Sequence, residues 1–270
     1  MKLETNDLTF SYNSHPIFDD INFKIDSRIT ALIGPNAAGK STLLKCIAGT
    51  LDPKGIILID GTNVEDMSRK DLVNIRSYLP QESETNASLT VFETLLLGLV
   101  HSLSWKVGQE DIEVVSNVMK YMGIEDLALK NINKLSGGQK QMVFITQSLI
   151  RDPKLLLLDE PTNGLDLQHQ LEFFELIKKI TMERGTTTII ALHDLNLAAR
   201  YADNIVVMTK GEIYATGSPS SVLTQETIRD VYGINAHVSI DNDGIPWIKP
   251  LNSITNRYFS SNSNSNLFIE

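Results

Sequence analysis

The chain has a single cysteine, Cys46, in 270 residues, so an internal disulfide and a cysteine-built metal cluster are both excluded. Cys46 lies in an apolar helical stretch and reads as a small buried side chain. No apolar run approaches the roughly 20 residues that a membrane-spanning helix needs. The opening residues, Met1 to Asp7, lack the apolar segment of a secretion signal. The expectation is a chain that stays in the cytoplasm and needs a partner for any work at a membrane. Basic residues are outnumbered, 24 Lys+Arg against 33 Asp+Glu, for a formal net charge of -9. That balance speaks against general affinity for nucleic acid or acidic lipid, although a local basic groove stays open. The triplet Asn86-Ala87-Ser88 fits a glycosylation sequon, which in a cytoplasmic chain is noise.

What is present is alternation. Leu3, Leu8 and Phe10, then Ile17 to Ile25, then Ile29 to Ile33 read as strands. A helix follows over Lys40 to Ala48, stopped by Gly49. Shorter strands are expected at Ile56 to Ile59 and Ser77 to Leu79, with others at Leu155 to Leu158, Thr187 to Leu192 and Asn204 to Met208. Phe173, Leu176, Ile177 and Ile180 form one apolar helical face, which Gly185 ends. Helices alternating with buried strands predict an α/β core with a mainly parallel sheet, preceded by an N-terminal antiparallel β part. A helical lobe is expected within residues 86–150. The domain reading is 1–240 for the main domain and 241–270 for an extension ending in a polar Asn/Ser tail, expected to be disordered.

Three segments carry chemistry. Gly34-Pro35-Asn36-Ala37-Ala38-Gly39-Lys40-Ser41 fits G-x-x-x-x-G-K-[ST] and sits between a strand and a helix, the setting that makes the pattern specific. Its backbone N–H groups and the helix start at Ser41 and Thr42 make an anion cradle. Lys40 is placed to reach the outer phosphates of ATP, and the Ser41 hydroxyl to ligate Mg²⁺. The second segment, Leu155 to Glu160, is a buried strand delivering two carboxylates to the sheet edge where ligands gather. Asp159 is expected to hold Mg²⁺ and Glu160 to polarise an attacking water. The third, Leu135-Ser136-Gly137-Gly138-Gln139, contains a helix capping box in Ser136 and Gln139. A capping box leaves the two glycines unexplained. A guanine-reading Asn-Lys-x-Asp is not supplied by Asn133-Lys134-Leu135-Ser136, which fails at its last position.

Together these segments resemble the ATP-binding subunit of an ABC transporter, from about Leu3 to Val238. The resemblance implies a P-loop ATPase in which two copies sandwich two ATP molecules. Lys40, Ser41 and Asp159 of one copy would hold a nucleotide that Ser136, Gly137, Gly138 and Gln139 of the other close over. It further implies that Tyr12 stacks on adenine, that Gln81 touches Mg²⁺, that Asp166 lies on a loop crossing the dimer interface, and that His193 contacts the γ-phosphate. A membrane permease and an external substrate-binding protein are the implied partners. Val91 to Leu97 is either lobe core or part of the permease contact. Asp166 to Glu172, His193 to Asp203 and Met67 to Val73 are similar to the subgroup importing iron–siderophore complexes, haem and cobalamin. A non-transport relative of cytoplasmic iron–sulfur cluster assembly is the alternative, disfavoured by the stretch Gln168 to Glu172. Ala37 departs from the family in standing where many relatives have glycine, and must either avoid positive φ or carry strain.

Overall fold

The computed structural model describes residues 1–81, 88–99 and 107–254. Asn86 and Ala87 of the sequon-like triplet and the Asn/Ser tail lie outside them. The chain opens with β1 (Leu3–Tyr12), β2 (His15–Ile25), β3 (Ile29–Ile33) and α1 (Lys40–Ala48). Next come β4 (Lys54–Ile59), β5 (Thr62–Asn63), α2 (Arg69–Ile75) and β6 (Arg76–Leu79). Three longer helices of the lobe follow, α3 (Val91–Leu97), α4 (Gln109–Met122) and α5 (Gly137–Leu149). Strand and helix then alternate through β7 (Leu155–Asp159), α6 (Leu167–Arg184), β8 (Thr187–Ala191), α7 (Leu195–Tyr201) and β9 (Asn204–Thr209). The described chain closes with β10 (Glu212–Gly217), α8 (Pro219–Val222), α9 (Gln225–Tyr232), β11 (Ile234–Ile240) and β12 (Pro246–Ser253).

The main sheet has the order β10-β9-β3-β8-β7-β6, parallel from β9 to β6 with β10 antiparallel at the edge. A second, antiparallel sheet has the order β2-β1-β4-β5. The expected parallel core, antiparallel N-terminal part and helical lobe are therefore all present.

Period-two alternation explains how one sheet serves two cores. Along β7, Leu155 and Leu157 face one side and pack with Leu43, Leu44 and Ile47 of α1 and with the antiparallel sheet. Leu156 and Leu158 face the other side and pack with Val143 and Leu149 of α5 and Phe173 and Ile177 of α6. Because helices or sheets cover both faces, the strand shows no polar alternation and reads as an unbroken apolar run. Each such leucine contributes about 1.5–3 kcal/mol by leaving water.

Glycines end the helices where the sequence places them. Gly49 and Gly185 sit at φ 72 and 65 after α1 and α6, the left-handed geometry that closes a helix C-terminus. Cys46 is 1% exposed in the α1 core, and burial pushes its thiol pKa up to about 12. The folded chain is therefore expected to resist a thiol reagent at pH 8, whereas the urea-unfolded chain labels fully; rapid labelling of native protein would contradict this burial.

The C-terminal elements were not legible in advance. β10 has only half-buried alternate positions, and β12 contains Pro246 and Pro250, which weigh against a strand. β11 and β12 form an isolated hairpin, a setting in which the prolines at the edge are tolerated. Ala236 and Ile248 anchor that hairpin in the main core. A boundary at 240 falls in its turn, so residues 241–253 share the hairpin with residues before them.

Candidate functional site

The parallel strands deliver their C-terminal ends to one edge of the main sheet, and the chemically marked residues gather there. Asn36, Ala37, Ala38, Gly39, Lys40, Ser41 and Thr42 line a cavity of about 390 Å³ with Ile17, Gln81, Glu160 and His193. Four loops after four different strands thus meet at one site: after β3, β6, β7 and β8.

The loop from Gly34 to Ser41 is shaped by close approach. A side chain at Gly34 would bring its Cβ to 2.0 Å from the Met208 carbonyl oxygen, so only glycine fits. Ala37 adopts φ 62 and so carries the strain foreseen for a non-glycine residue. Ala37→Gly is accordingly expected to stabilise the chain by ~0.5–1 kcal/mol, less the entropy cost of glycine, a rise readable as an increase in thermal midpoint. Lys40 is 5% exposed and folds back on its own loop, donating to the carbonyls of Gly34 at 2.8 Å and Pro35 at 3.2 Å. Burial lowers its pKa, against which the carboxylates of Glu160 and Asp159 act. The ammonium is thus sequestered at the loop yet within the field of both acids.

The two carboxylates at the end of β7 have separate surroundings. Asp159 accepts from Ser41 Oγ at 2.9 Å and Tyr78 Oη at 3.1 Å. Burial raises its pKa, while these two hydrogen bonds pull the other way. Ser41 and Asp159 together present hard oxygen donors beside the cavity, a donor set that suits Mg²⁺. Glu160 points elsewhere because its backbone turns to φ 48, a conformation unusual for a glutamate. Its Oε2 accepts from Gln81 Nε2 and Asn163 Nδ2, both at 2.7 Å, and its Oε1 contacts His193 Nε2. Left-handed backbone at such a residue costs about 1–3 kcal/mol and persists where the surroundings over-determine it, as these three side chains do here. Glu160 is 8% exposed and His193 41%, so the carboxylate lies behind and the imidazole nearer solvent.

The remaining marked residues lie apart from the cavity lining within one chain. Ser136 caps α5 by accepting from Gln139 N, and Gln139 Oε1 accepts from Ser136 N, so the capping box is realised in full. Gly138 now has its own reason. A Cβ there would stand 3.1 Å from Cδ2 of His169, whose ring is tied through Nδ1 to Asp166 Oδ1 at 2.8 Å. Gly137 has no heavy atom within 4 Å of a modest side chain's first carbon, leaving its backbone open to an incoming group. Asp166 caps α6 by accepting from His169 N. Tyr12 is 42% exposed, stacks edge-on against Phe10 with centroids 4.9 Å apart, and is not among the cavity-lining residues.

Four residues of the site escaped the sequence reading. Tyr78 precedes Gln81 by three positions and was hidden inside an ordinary strand. Asn163 carries no motif signal in the sequence, yet its side chain donates to Glu160. Ile17 reaches the cavity from the antiparallel sheet. Tyr232, at the end of α9, buries its hydroxyl, and burial raises its pKa while the Gly34 backbone acts the other way.

Comparison with known proteins decides the family. The profile of the family described as "ABC transporter" matches residues 18–163, more than half of the chain. The chain belongs to the ABC transporter ATP-binding family. Its relatives include an uncharacterized ABC transporter ATP-binding protein, MJ0089 of Methanocaldococcus jannaschii, 41% identical with 93% of this chain and 98% of the relative covered. The petrobactin import ATP-binding protein FpuD of Bacillus anthracis is 38% identical, covering 88% of this chain and 89% of the relative. Among solved structures, the dimeric structure of MJ0796, described as a bacterial ABC transporter cassette, aligns with TM-score 0.70 at 25% identity, covering 80% of this chain and 98% of that one. As an ABC ATPase, the chain is an enzyme of a nucleotide-binding family. Among the described residues, no helix is long and apolar enough to cross a membrane.

Proposed function

We propose that this ABC ATPase drives a membrane importer of iron(III)–siderophore complexes by closing on ATP together with a second copy of itself. The observation that carries the chemistry is the Glu160 carboxylate, fixed by Gln81, Asn163 and His193 at the wall of the phosphate-loop cavity. The cargo class rests on relatives such as the petrobactin import protein.

In this reading the loop amides of residues 34–39 and the Lys40 ammonium bind the phosphates, Lys40 exchanging its two loop carbonyls for phosphate oxygens. Ser41, Gln81 and Asp159 would hold Mg²⁺, which when bound neutralises phosphate charge. Glu160 accepts the proton of the attacking water. His193, on the opposite side of that carboxylate, donates to the γ-phosphate as charge develops. Tyr12 is a peripheral platform for adenine. Ser136, Gly137, Gly138 and Gln139 complete the partner copy's site, for which the open face of Gly137 and the helix start at α5 are suited. The contacts from Gln81, Asn163 and His193 then keep the base in place, against its backbone strain, before substrate arrives.

The chain would sit on the cytoplasmic face of the membrane, docked on a polytopic permease that an external binding protein supplies. Affinity purification of the tagged chain from gently solubilised membranes, read by mass spectrometry, tests this. The expected result is a co-purifying polytopic permease encoded beside a binding protein. Recovery of soluble scaffold proteins alone would overturn the importer reading and leave the ATP chemistry in place.

A further inference from the structure

Among the described residues, the C-terminal hairpin is hydrogen-bonded to the first turn of the helix that follows His193. Asn196 lies on α7, three residues beyond His193, and its carboxamide grips one residue of β12 from both sides. Nδ2 donates to the Ile248 carbonyl at 3.2 Å, and the Ile248 N–H donates to Oδ1 at 2.8 Å. Paired donor and acceptor of this kind imitate one peptide of a missing third strand. The Ile248 side chain is buried in the main core, so the point being gripped is itself fixed.

At the other end of the connection, His193 has little to hold it. Among the described residues its ring has one polar partner, Glu160. Its backbone joins the end of β8 to the start of α7, where Asp194 caps the helix by accepting from Asn196 N at 2.8 Å and Leu197 N at 3.0 Å. Helix α7 has seven residues. That is well short of the roughly 12–15 at which a helix is marginal alone, so its orientation comes from what it packs on. The polar anchors of its first turn are the Asp194 cap and the Asn196 grip on β12.

We propose that Asn196 is a positioning residue for His193, setting the imidazole against Glu160 by locking the first turn of α7 to the C-terminal hairpin. The proposal rests on the reading of His193 as a group acting at the γ-phosphate, and makes the hairpin part of the catalytic apparatus.

The test is a cycle of Asn196→Ala and His193→Ala in the full chain, with ATP affinity, steady-state kcat and KM, and single-turnover rates that reach below the steady-state limit. Asn196→Ala is expected to lower kcat about tenfold, the scale of a small misplacement of a reacting group, with KM for ATP changed less than about twofold. In the His193→Ala background the same change should cost less than about twofold, because the two act as one unit. Asn196→Asp keeps the acceptor for the Ile248 N–H but sets a carboxylate oxygen against the Ile248 carbonyl, so it should lose kcat as well; it carries the cycle if the alanine variant does not fold. Equal losses in both backgrounds, or an undiminished kcat in Asn196→Ala, would overturn the proposal alone. Native kcat in His193→Ala would overturn the site reading and this proposal with it.

Discussion

Replacing Glu160 with Gln is expected to leave ATP binding intact and to lower turnover by about 10²-fold or more, the scale of a general-base contribution. The substitution changes one oxygen for an amide and keeps the volume. The surroundings, however, were built for an acceptor. Gln81 Nε2 and Asn163 Nδ2 both donate to Oε2, and His193 Nε2 contacts Oε1. A glutamine can keep its carbonyl oxygen toward the two amides, but its NH2 then faces His193 Nε2, which must switch to the acceptor tautomer. Loss of proton acceptance should therefore come with a changed protonation pattern at His193 rather than a rearranged Gln81. In the proposed dimer the variant would accumulate closed with ATP, detectable as a doubling of mass by gel filtration. Turnover within about threefold of native would remove Glu160 from the role assigned to it.

Lys40→Ala should act on binding first. The ammonium satisfies two loop carbonyls now and would satisfy phosphate oxygens later, in a pocket where it is 5% exposed. Hydrogen bonds to charged groups are worth about 1.5–3 kcal/mol, so an affinity loss of roughly 10–150-fold is expected. Lys40→Arg should not restore it, because a planar guanidinium cannot occupy the place of a compact ammonium turned onto Gly34 and Pro35. A fluorescent ATP analogue titrated against native and variant chains reads the difference. Unaltered affinity in Lys40→Ala would mean that the loop is not the phosphate site.

The site was legible wherever chemistry depends on local spacing. Gly34 to Ser41 must be contiguous because successive backbone amides would form the proposed cradle, and Asp159-Glu160 must follow a buried strand because the sheet edge is where the proposed chemistry would need both carboxylates. The helix ends at Gly49 and Gly185 were legible for the same local reason. What escaped was set by tertiary meeting. Nothing around Tyr78 announces that its hydroxyl will reach Asp159, and nothing around Asn163 announces Glu160. Gly138, which the capping box leaves unexplained, has a steric neighbour in the His169 ring. The C-terminal hairpin escaped because prolines in β12 obey edge chemistry, which depends on having no neighbouring strand. The family resemblance supplied the order of the motifs, but the strain at Ala37 and Glu160 became visible only with backbone angles.

The division of the interior by a single sheet bears on how the chain opens. Cores lying on opposite faces, joined through the strands between them, are natural units of separate local unfolding. Lys40 and Ser41 ride on α1 with one core, whereas His193 leads into α7 in the other. A nucleotide gripped by both groups therefore acts as a staple between the two units. Amide hydrogen exchange without ATP should show two sets of protection, one for α1 and the antiparallel sheet and one for α5, α6 and α7. With ATP at a hundred times its dissociation constant, openings of either unit that abolish binding should become rarer by about 2.7 kcal/mol, so that the two sets slow together.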